Sequence, residues 1–272
     1  METINELMGS QGCRTDRLAI LTLIDMGAFE TFFQPIYSIT QAEVYGFEAL
    51  TRCSGRHSYD IAGLFAAAKE ENLVSRLDVA CRSSALRKTS REGLQGRAVL
   101  IFINICPETL MDPEHRPGIT DSLAEEYGIP KEKIVLEITE ESAIHNYDLF
   151  RQAIFYYKHQ GYKIAIDDFG AGYGGLKMLS IIEPDFVKID RHFISQIDKT
   201  MIKFNLVESV THVCRRMGIK VIAEGIERRE ELDIVTGCGI DLAQGYYLAR
   251  PSRHAFMNVP LGLSAGRHMN QT

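Results

Sequence analysis

The sequence predicts an α/β fold, a modified TIM (β/α)8 barrel whose first strand runs antiparallel. The first observation is an alternation, from Phe32 onward, of short β-branched runs and longer helical patterns. The second is that the short runs are almost continuously apolar, as strands of a parallel sheet are when helices cover it. The third is the length of 272 residues, because about 250 residues is typical of an eight-fold barrel.

Eight segments have the length and composition of strands. The first two are separated only by the four residues Thr40 to Glu43, a gap that fits a hairpin and cannot hold a crossover helix. The barrel is therefore expected to begin with an antiparallel pair. In chain order the segments read FFQPIYSI, VYGFEALTR, RAVLIFINI, KIVLEIT, KIAID, PDFVKI, KVIAE and AQGYYLARP.

Apolar residues recur at helical spacing between the strands. Segments 61–70, 147–160 and 200–217 each place apolar residues on one helical face. Gly161 and Gly218 follow the second and third of these segments and predict where those helices end. Helices of this kind would cover the outer face of the sheet.

Composition excludes several classes of protein. The net charge is -6 with no basic cluster, which argues against binding a nucleic acid polymer through its phosphates. The six cysteines form no CxxC pair and have no zinc-ligand spacing, which favours a reducing compartment. No signal peptide or membrane span is visible in the sequence. We therefore expect a cytoplasmic protein with a polar extension at 1–17, one domain at 18–256 and a tail or linker at 257–272.

The second strand carries a carboxylate and a guanidinium on one face. Strand alternation places Glu48, Leu50 and Arg52 on the same side. The two charged groups form either a local ion pair or two parts of a site for a phosphate ester. The sequence alone leaves both interpretations open.

Two adjacent aspartates, Asp167 and Asp168, end an apolar strand. Neighbouring carboxylates repel each other, which raises a pKa or recruits a cation. Carboxylate oxygens are the ligands that Mg²⁺ and Mn²⁺ prefer. The alternative is a solvated strand end with no bound ion.

Other charged and amide residues lie at the ends of the remaining strands. A buried carboxylate or ammonium is costly without a partner, so Glu137 and Lys188 indicate either a Lys–Glu pair across the barrel or a polar site. A parallel barrel gathers the carboxyl ends of its strands at one mouth, so these groups would converge. The other members of the set are Asn104, Glu140, Glu224, Glu227 and Gln244.

Charge balance favours metal binding over a structural network. Five carboxylates are predicted to face one lysine, Lys188, which offsets one negative charge. Two divalent cations would cancel the four that remain, so we favour a two-metal site. The five carboxylates are Glu48, Glu137, Asp167, Asp168 and Glu224.

A glycine-rich loop follows the paired aspartates. Gly170, Gly172 and Gly175 formally spell GxGxxG after a strand, which alone is a weak indication of dinucleotide binding. The paired aspartates would place carboxylates against a pyrophosphate. This disfavours an NAD-dependent oxidoreductase and favours a loop over a metal site.

Seven ordered motifs resemble those of the EAL-domain family of cyclic di-GMP phosphodiesterases over roughly residues 18–256. The resemblance implies a bacterial second-messenger enzyme that uses two divalent cations, Mg²⁺ or Mn²⁺, to hydrolyse cyclic di-GMP to linear pGpG. It also implies a homodimer and coupling to sensory or GGDEF-type domains. The motifs are EALTR, FINICP, LEITE, DDFGAGY, DFVKID, AEGIE and QGYYLARP.

The resemblance also implies a role for each matching residue. Lys188 would orient the attacking water, with Glu224 and Glu48 as its catalytic partners, and Glu140 would anchor the DDFGAGY loop. The implied metal ligands are Glu48, Asn104, Glu137, Asp167, Asp168 and Glu224. The implied substrate-binding residues are Gln34, Leu50, Arg52, Glu227 and Gln244.

A receptor without catalytic activity is the main alternative within the same fold. Such a protein would bind cyclic di-GMP and act through a partner. Cys53 and Cys106 depart from the common pattern of the family, but neither stands at a metal-ligand position. Because every expected ligand is present, we favour the enzyme.

Overall fold

Eight strands in the described part of the chain close into a barrel in which neighbours in sequence are neighbours in space. The computed structural model describes residues 17–54, 60–112, 118–140, 144, 146–172 and 174–257. The predicted fold class is confirmed. The strands are β1 (Phe29–Ser38), β2 (Glu43–Cys53), β3 (Leu100–Asn104), β4 (Ile134–Thr139), β5 (Lys163–Phe169), β6 (Phe186–Ile189), β7 (Lys220–Ala223) and β8 (Leu242–Ala243).

Strand β1 runs opposite to the rest of the barrel. It pairs antiparallel with β2 and, at the closure, with β8, whereas the pairs from β2 to β8 are parallel. The predicted hairpin is confirmed, since β1 ends at Ser38 and β2 begins at Glu43. The reversal gives β1 two antiparallel neighbours, because closure of the barrel also sets it beside β8.

Helices cover the outside of the barrel. The segments predicted as helical at 61–70, 147–160 and 200–217 are confirmed, and Gly161 and Gly218 have left-handed backbone just after the second and third. The helices are α1 (Arg17–Asp25), α2 (Ile61–Glu70), α3 (Val74–Arg91), α4 (Pro107–Met111), α5 (Gly118–Glu126), α6 (Tyr147–His159), α7 (Gly175–Ile182), α8 (Arg191–Ile194), α9 (Met201–Arg216) and α10 (Arg229–Gly237).

The barrel interior is built in layers. A buried apolar layer forms its floor and comprises Ile36, Phe102, Val135, Ala165, Phe186, Ile222 and Leu242. Because side chains alternate along a strand, the residue two positions nearer the mouth points inward on the same face. Those positions hold Gln34, Asn104, Glu137, Asp167, Lys188, Glu224 and Gln244. The apolar floor thus lies directly beneath a polar layer.

Gly46 occupies the position of β2 that faces the apolar floor. It precedes Glu48 by two residues, and a Cβ at this position would lie 2.7 Å from the carbonyl oxygen of Leu100 and 2.9 Å from the Phe102 ring. Glycine therefore makes room for a large aromatic ring from the next strand. Glu48 then joins the polar layer at the mouth.

None of the helices in the described ranges is both long enough and apolar enough to cross a bilayer. The predicted extension at 1–17 and tail at 257–272 lie, apart from Arg17 and Met257, outside the described residues.

Candidate active site at the barrel mouth

Lys188 lies at the centre of a ring of carboxylates. Its Nζ is 2.7 Å from Asp167 Oδ1, 2.8 Å from Glu137 Oε1 and 2.8 Å from Glu224 Oε1. Glu48 Oε2 is further away, at 3.6 Å. The Lys188 side chain is 1 % exposed. The simple Lys–Glu pair that the sequence left open is therefore replaced by one ammonium among four carboxylates.

Burial and mutual repulsion shift the pKa values of the groups in this ring. Burial raises the pKa of Glu137 well above its ordinary value; Lys188 opposes the shift, whereas Glu48 and Asp167 add to it. Burial likewise raises the pKa of Glu224, again against Lys188. Burial alone would lower the pKa of Lys188, but the carboxylates outweigh it and hold that pKa well above its ordinary value. Lys188 is therefore an ammonium at neutral pH.

Asp168 joins the site through an unusual backbone conformation. Strict strand alternation would send Asp167 and Asp168 to opposite faces. Asp168 instead has a φ of 51°, in the left-handed region, and the β5–β6 register is broken between Ile166 and Phe169. Oxygen atoms of both aspartates and of Glu224 lie within 4.8 Å of one another.

The carboxylates form two groups that could each hold a cation. Glu48, Glu137 and Asp167 bring oxygens within 4.8 Å, as do Asp167, Asp168 and Glu224. Asp167 belongs to both groups.

The donor set fits hard divalent cations, because all its ligand atoms are oxygens. Glu137 Oε2 is buried without a hydrogen-bond partner among the described residues, so a buried acceptor remains for a ligand. Asn104, at the end of β3, stands next to Glu137 in the register and is exposed at the mouth.

Glu140 holds the glycine-rich loop. Its carboxylate accepts hydrogen bonds from the backbone N–H groups of Gly170 at 2.7 Å, Gly174 at 3.0 Å and Gly175 at 2.6 Å. A Cβ at Gly172 would lie 2.9 Å from the Glu140 carbonyl oxygen. The glycines therefore let the backbone close around one buried carboxylate, next to the paired aspartates.

Arg52 and Leu50 lie above the ring at the end of β2. Arg52 is exposed, and its Nη1 donates to the Thr51 carbonyl oxygen at 2.8 Å. Glu48 instead accepts from Gln244 Nε2 at 2.6 Å. The local Glu48–Arg52 ion pair is therefore not formed, and the guanidinium remains at the mouth. Leu50 is half-buried on the same side.

Two predicted substrate-binding residues have partners outside the carboxylate ring. Gln34 is buried beside Glu48 in the register, but its amide donates to the Ala249 carbonyl oxygen at 3.2 Å. Glu227 lies at the rim, where its carboxylate is 2.8 Å from Arg191 Nη2. Both are near the mouth without joining the carboxylate ring.

Arg191 is a residue at the mouth that the sequence reasoning missed. It follows β6 by two residues and brings a second cation to the rim. Gly225 accommodates it, since a Cβ there would lie 2.3 Å from Arg191 Cγ. A basic residue soon after Lys188 was the available signal, but its partner Glu227 is distant in sequence.

Comparison with known proteins identifies the family. A profile of the EAL domain matches residues 17–251. The chain therefore belongs to the EAL domain family, and the predicted family membership is confirmed.

Curated relatives carry both enzymatic and regulatory names. The probable cyclic di-GMP phosphodiesterase PdeA of Escherichia coli K12 is 28% identical over 85% of this chain, which spans 32% of that protein. The blue light- and temperature-regulated antirepressor BluF of the same strain is 28% identical over 84% of this chain, which spans 55% of it. The chain thus corresponds to a part of each relative.

Solved structures share the fold. A standalone EAL protein from Vibrio cholerae O395, bound to c-di-GMP, superposes with a TM-score of 0.75 and 28% identity, covering 86% of this chain and 97% of that one. BlrP1 of Klebsiella pneumoniae, in a complex with manganese and cyclic di-GMP, has a TM-score of 0.73 and 31% identity, covering 83% and 56%.

Proposed function

We propose that this chain is a metal-dependent phosphodiesterase that hydrolyses cyclic di-GMP to linear 5′-pGpG. The observation that carries the proposal is the ring of carboxylates around Lys188, which holds more negative charge than one ammonium can balance. The cyclic di-GMP phosphodiesterases among its relatives and the cyclic di-GMP complexes among its structural neighbours support the choice of substrate.

Two divalent cations, Mg²⁺ or Mn²⁺, complete the proposed site. Asp167 would be shared between them, Asp168 and Glu224 completing one ligand set. When bound, such cations acidify water and stabilise charge on phosphoryl oxygens. The other ligand set would be Glu48, Asn104, Glu137 and Asp167.

The residues of the chain supply orientation and charge in this proposal. Lys188, which stays protonated, would exchange one of its carboxylate contacts for a hydrogen bond to the attacking water and would not act as its base. Glu224 and Glu48 help to hold the ammonium in place. Arg52 contacts a non-bridging phosphate oxygen, because guanidinium groups form strong hydrogen bonds with phosphate. The water oxygen gives up a proton and bonds to phosphorus, the bond to the 3′ oxygen breaks, and that oxygen takes up a proton and leaves as a hydroxyl.

The substrate pocket would form around the rim. Leu50 would pack against a guanine, while Gln34, Gln244 and Glu227 would contact or support the nucleotide. Gln34 and Glu227 must then exchange their present partners, Ala249 and Arg191, for the ligand.

A turnover assay tests the proposal. The purified chain is incubated with cyclic di-GMP and Mg²⁺ or Mn²⁺, with EDTA as control, and the products are separated by chromatography. We expect pGpG to appear only with metal. Binding of the dinucleotide without turnover in either metal would contradict the enzyme and favour the receptor. The relative named as an antirepressor is the observation behind that second candidate.

We also propose a homodimer formed through the face beside the glycine-rich loop. Leu176, Met201, Ile202 and Leu206 are exposed large apolar residues of α7 and α9, and Leu176 and Leu206 line a cavity of about 550 Å³ there. Exposed apolar patches of this kind mark interfaces. Sedimentation of Leu206→Glu should yield monomers, whereas Leu18→Glu on α1 should remain dimeric. Monomeric wild-type protein would contradict this interface.

Two further properties belong to the same proposal. The cysteines described are free thiols, which suits a reducing, cytoplasmic setting. Coupling to a sensory or GGDEF-type domain is proposed because the chain spans 32% and 55% of the curated relatives compared above.

A further inference from the structure

A basic pocket lies outside the barrel wall, between α3 and the first residues of β1. The name denotes the cavity of about 310 Å³ whose lining includes Thr31, Ser84, Arg87, Arg91, Arg253 and His254. On β1, Ile36 belongs to the barrel interior and Phe33 to the outer core. Thr31 shares the outward face with Phe33, so the basic pocket opens away from the carboxylate ring.

Helix α3 presents one basic stripe to this cavity. Ser84, Arg87, Lys88 and Arg91 line it together, and their spacing of i, i+3, i+4 and i+7 places them on one face of the helix. Basic residues in a last turn are favourable to the helix dipole. That effect explains charge at the helix end but not its concentration on the face that borders a cavity.

A second segment brings another arginine and a histidine to the same place. Arg253 and His254 follow β8 and line the cavity opposite α3. They have no helix end to neutralise; Arg253 contacts Glu30, which also lines the cavity, and His254 contacts Glu92. The convergence occurs in a protein whose net charge is -6.

Two arginines of the pocket are left over after the ion pairs are assigned. Lys88 and His254 both contact Glu92, at 2.7 and 3.0 Å, and Arg253 contacts Glu30 at 3.0 Å. Within the described ranges, the guanidinium groups of Arg87 and Arg91 have neither an ion pair nor a hydrogen bond.

Arg87 is half-buried, so its charge lacks both a carboxylate and full solvation. A partly buried guanidinium without a partner is costly. An anion in the cavity would supply that partner.

The hydroxyl groups of the pocket are already hydrogen-bonded and do not donate to a ligand. Ser84 Oγ lies 3.1 Å from the Phe29 carbonyl oxygen, to which it donates, and 3.1 Å from Thr31 Oγ1. Their protons are therefore used within the wall. The contacts left for a ligand are the guanidinium groups, whose planar pairs of N–H donors match phosphate oxygens.

We propose that the basic pocket binds the phosphate group of a small phosphorylated ligand, held by Arg87 and Arg91. The cavity volume is at the lower end of the range for ligand sites. It therefore suits free phosphate or a mononucleotide better than a cyclic dinucleotide. The site is separate from the proposed phosphodiesterase site and does not depend on that activity.

Calorimetric titration of the full chain tests the proposal. The probes are inorganic phosphate and adenosine monophosphate, at constant ionic strength and with EDTA so that metal at the mouth does not contribute. We expect saturable binding of at least one probe. Tighter binding of the nucleotide identifies an ester as the ligand, and equal binding identifies the phosphate group alone.

Matched variants locate the binding. Arg87→Gln and Arg91→Gln should each weaken the affinity about tenfold, the value of one charge-assisted hydrogen bond. Arg216→Gln, in the last turn of α9 and outside the pocket, should leave it unchanged. Thermal melting of each variant checks its folding. No saturable binding, equal loss in Arg216→Gln, or binding insensitive to both pocket variants would overturn the proposal.

Discussion

Two buried clusters of charged residues in this barrel differ in how far their positive and negative charges balance. In the first, Lys188 contacts four carboxylates at the mouth. In the second, Arg82 on α3 is fully buried and pairs with one carboxylate, its Nε and Nη2 lying 3.2 and 2.9 Å from Asp78 Oδ2. Arg82 also donates to the Thr120 hydroxyl, and Asp78 Oδ1 accepts from Cys106 N.

The comparison separates a structural cluster from a functional one. The Asp78–Arg82 pair is complete, because one positive charge meets one negative charge and the remaining polar atoms find neutral partners. The ring around Lys188 is incomplete, since it keeps an excess of carboxylate and a buried Glu137 oxygen without a hydrogen bond among the described residues. Unbalanced buried charge is tolerated where a ligand supplies the balance.

The largest expected effect comes from the unbalanced cluster. Glu48→Ala removes a carboxylate of the first ligand group, and turnover should fall about a thousandfold because several kcal/mol of charge stabilisation is lost. The initial rate of pGpG formation measures it. Glu70→Ala, an exposed change on α2, is the matched control. Near wild-type turnover of Glu48→Ala would show that the ligand assignment is wrong.

A substitution in the balanced cluster should lower the free energy of unfolding through the loss of an ion pair, with no involvement of metal. Arg82→Met leaves Asp78 buried without its partner, and unfolding free energy should drop by about 3–5 kcal/mol. Chemical denaturation measures the loss, with Arg76→Met, an exposed change on the same helix, as control.

Metal addition sharpens this difference. Compared with wild type at the same Mn²⁺ concentration, Arg82→Met should keep its deficit in unfolding free energy. The deficit of Lys188→Met should shrink, because cations can neutralise its remaining carboxylates. Equal responses of the two variants to Mn²⁺ would remove the distinction between the clusters.

A smaller effect is expected at the loop anchor. Glu140→Gln keeps the size of the side chain but weakens three hydrogen bonds from the loop, so kcat should fall about tenfold. Faster amide exchange at Gly174 and Gly175 would locate the change in the loop. Unaltered kcat and exchange, matching an exposed Glu125→Gln control, would rule out the anchoring role.

The smallest effect is expected at Arg52, which lies outside both clusters. Arg52→Ala should raise KM about tenfold through the loss of one charge-assisted contact, with kcat little changed. Steady-state kinetics against Arg229→Ala, an exposed change on α10, gives the comparison. A fall in kcat with an unchanged KM would argue against a phosphate contact in the ground state.

Much of the mouth could be predicted from the sequence because strand period and barrel topology act together. Glu137, Asp167 and Lys188 each follow, by two residues, an apolar side chain that points inward. Their convergence required only that parallel strands end at one rim.

Other features could not be predicted because they depend on contacts between distant segments. The spacing of Asp78 and Arg82 is visible in the sequence, but their complete burial follows from the packing of α3 against its neighbours. The same is true of Arg191 with Glu227, and of the orientation of Gln34 on a reversed strand.

Metal stoichiometry tests the central claim, that the excess carboxylates form a two-metal site, most directly. Calorimetric titration of the metal-free chain with Mn²⁺ should give two ions per chain in the wild type and in Arg76→Met. Asp167→Asn alters the carboxylate common to both groups and should bind neither ion tightly. Two ions retained by Asp167→Asn, or none bound by the wild type, would contradict the account.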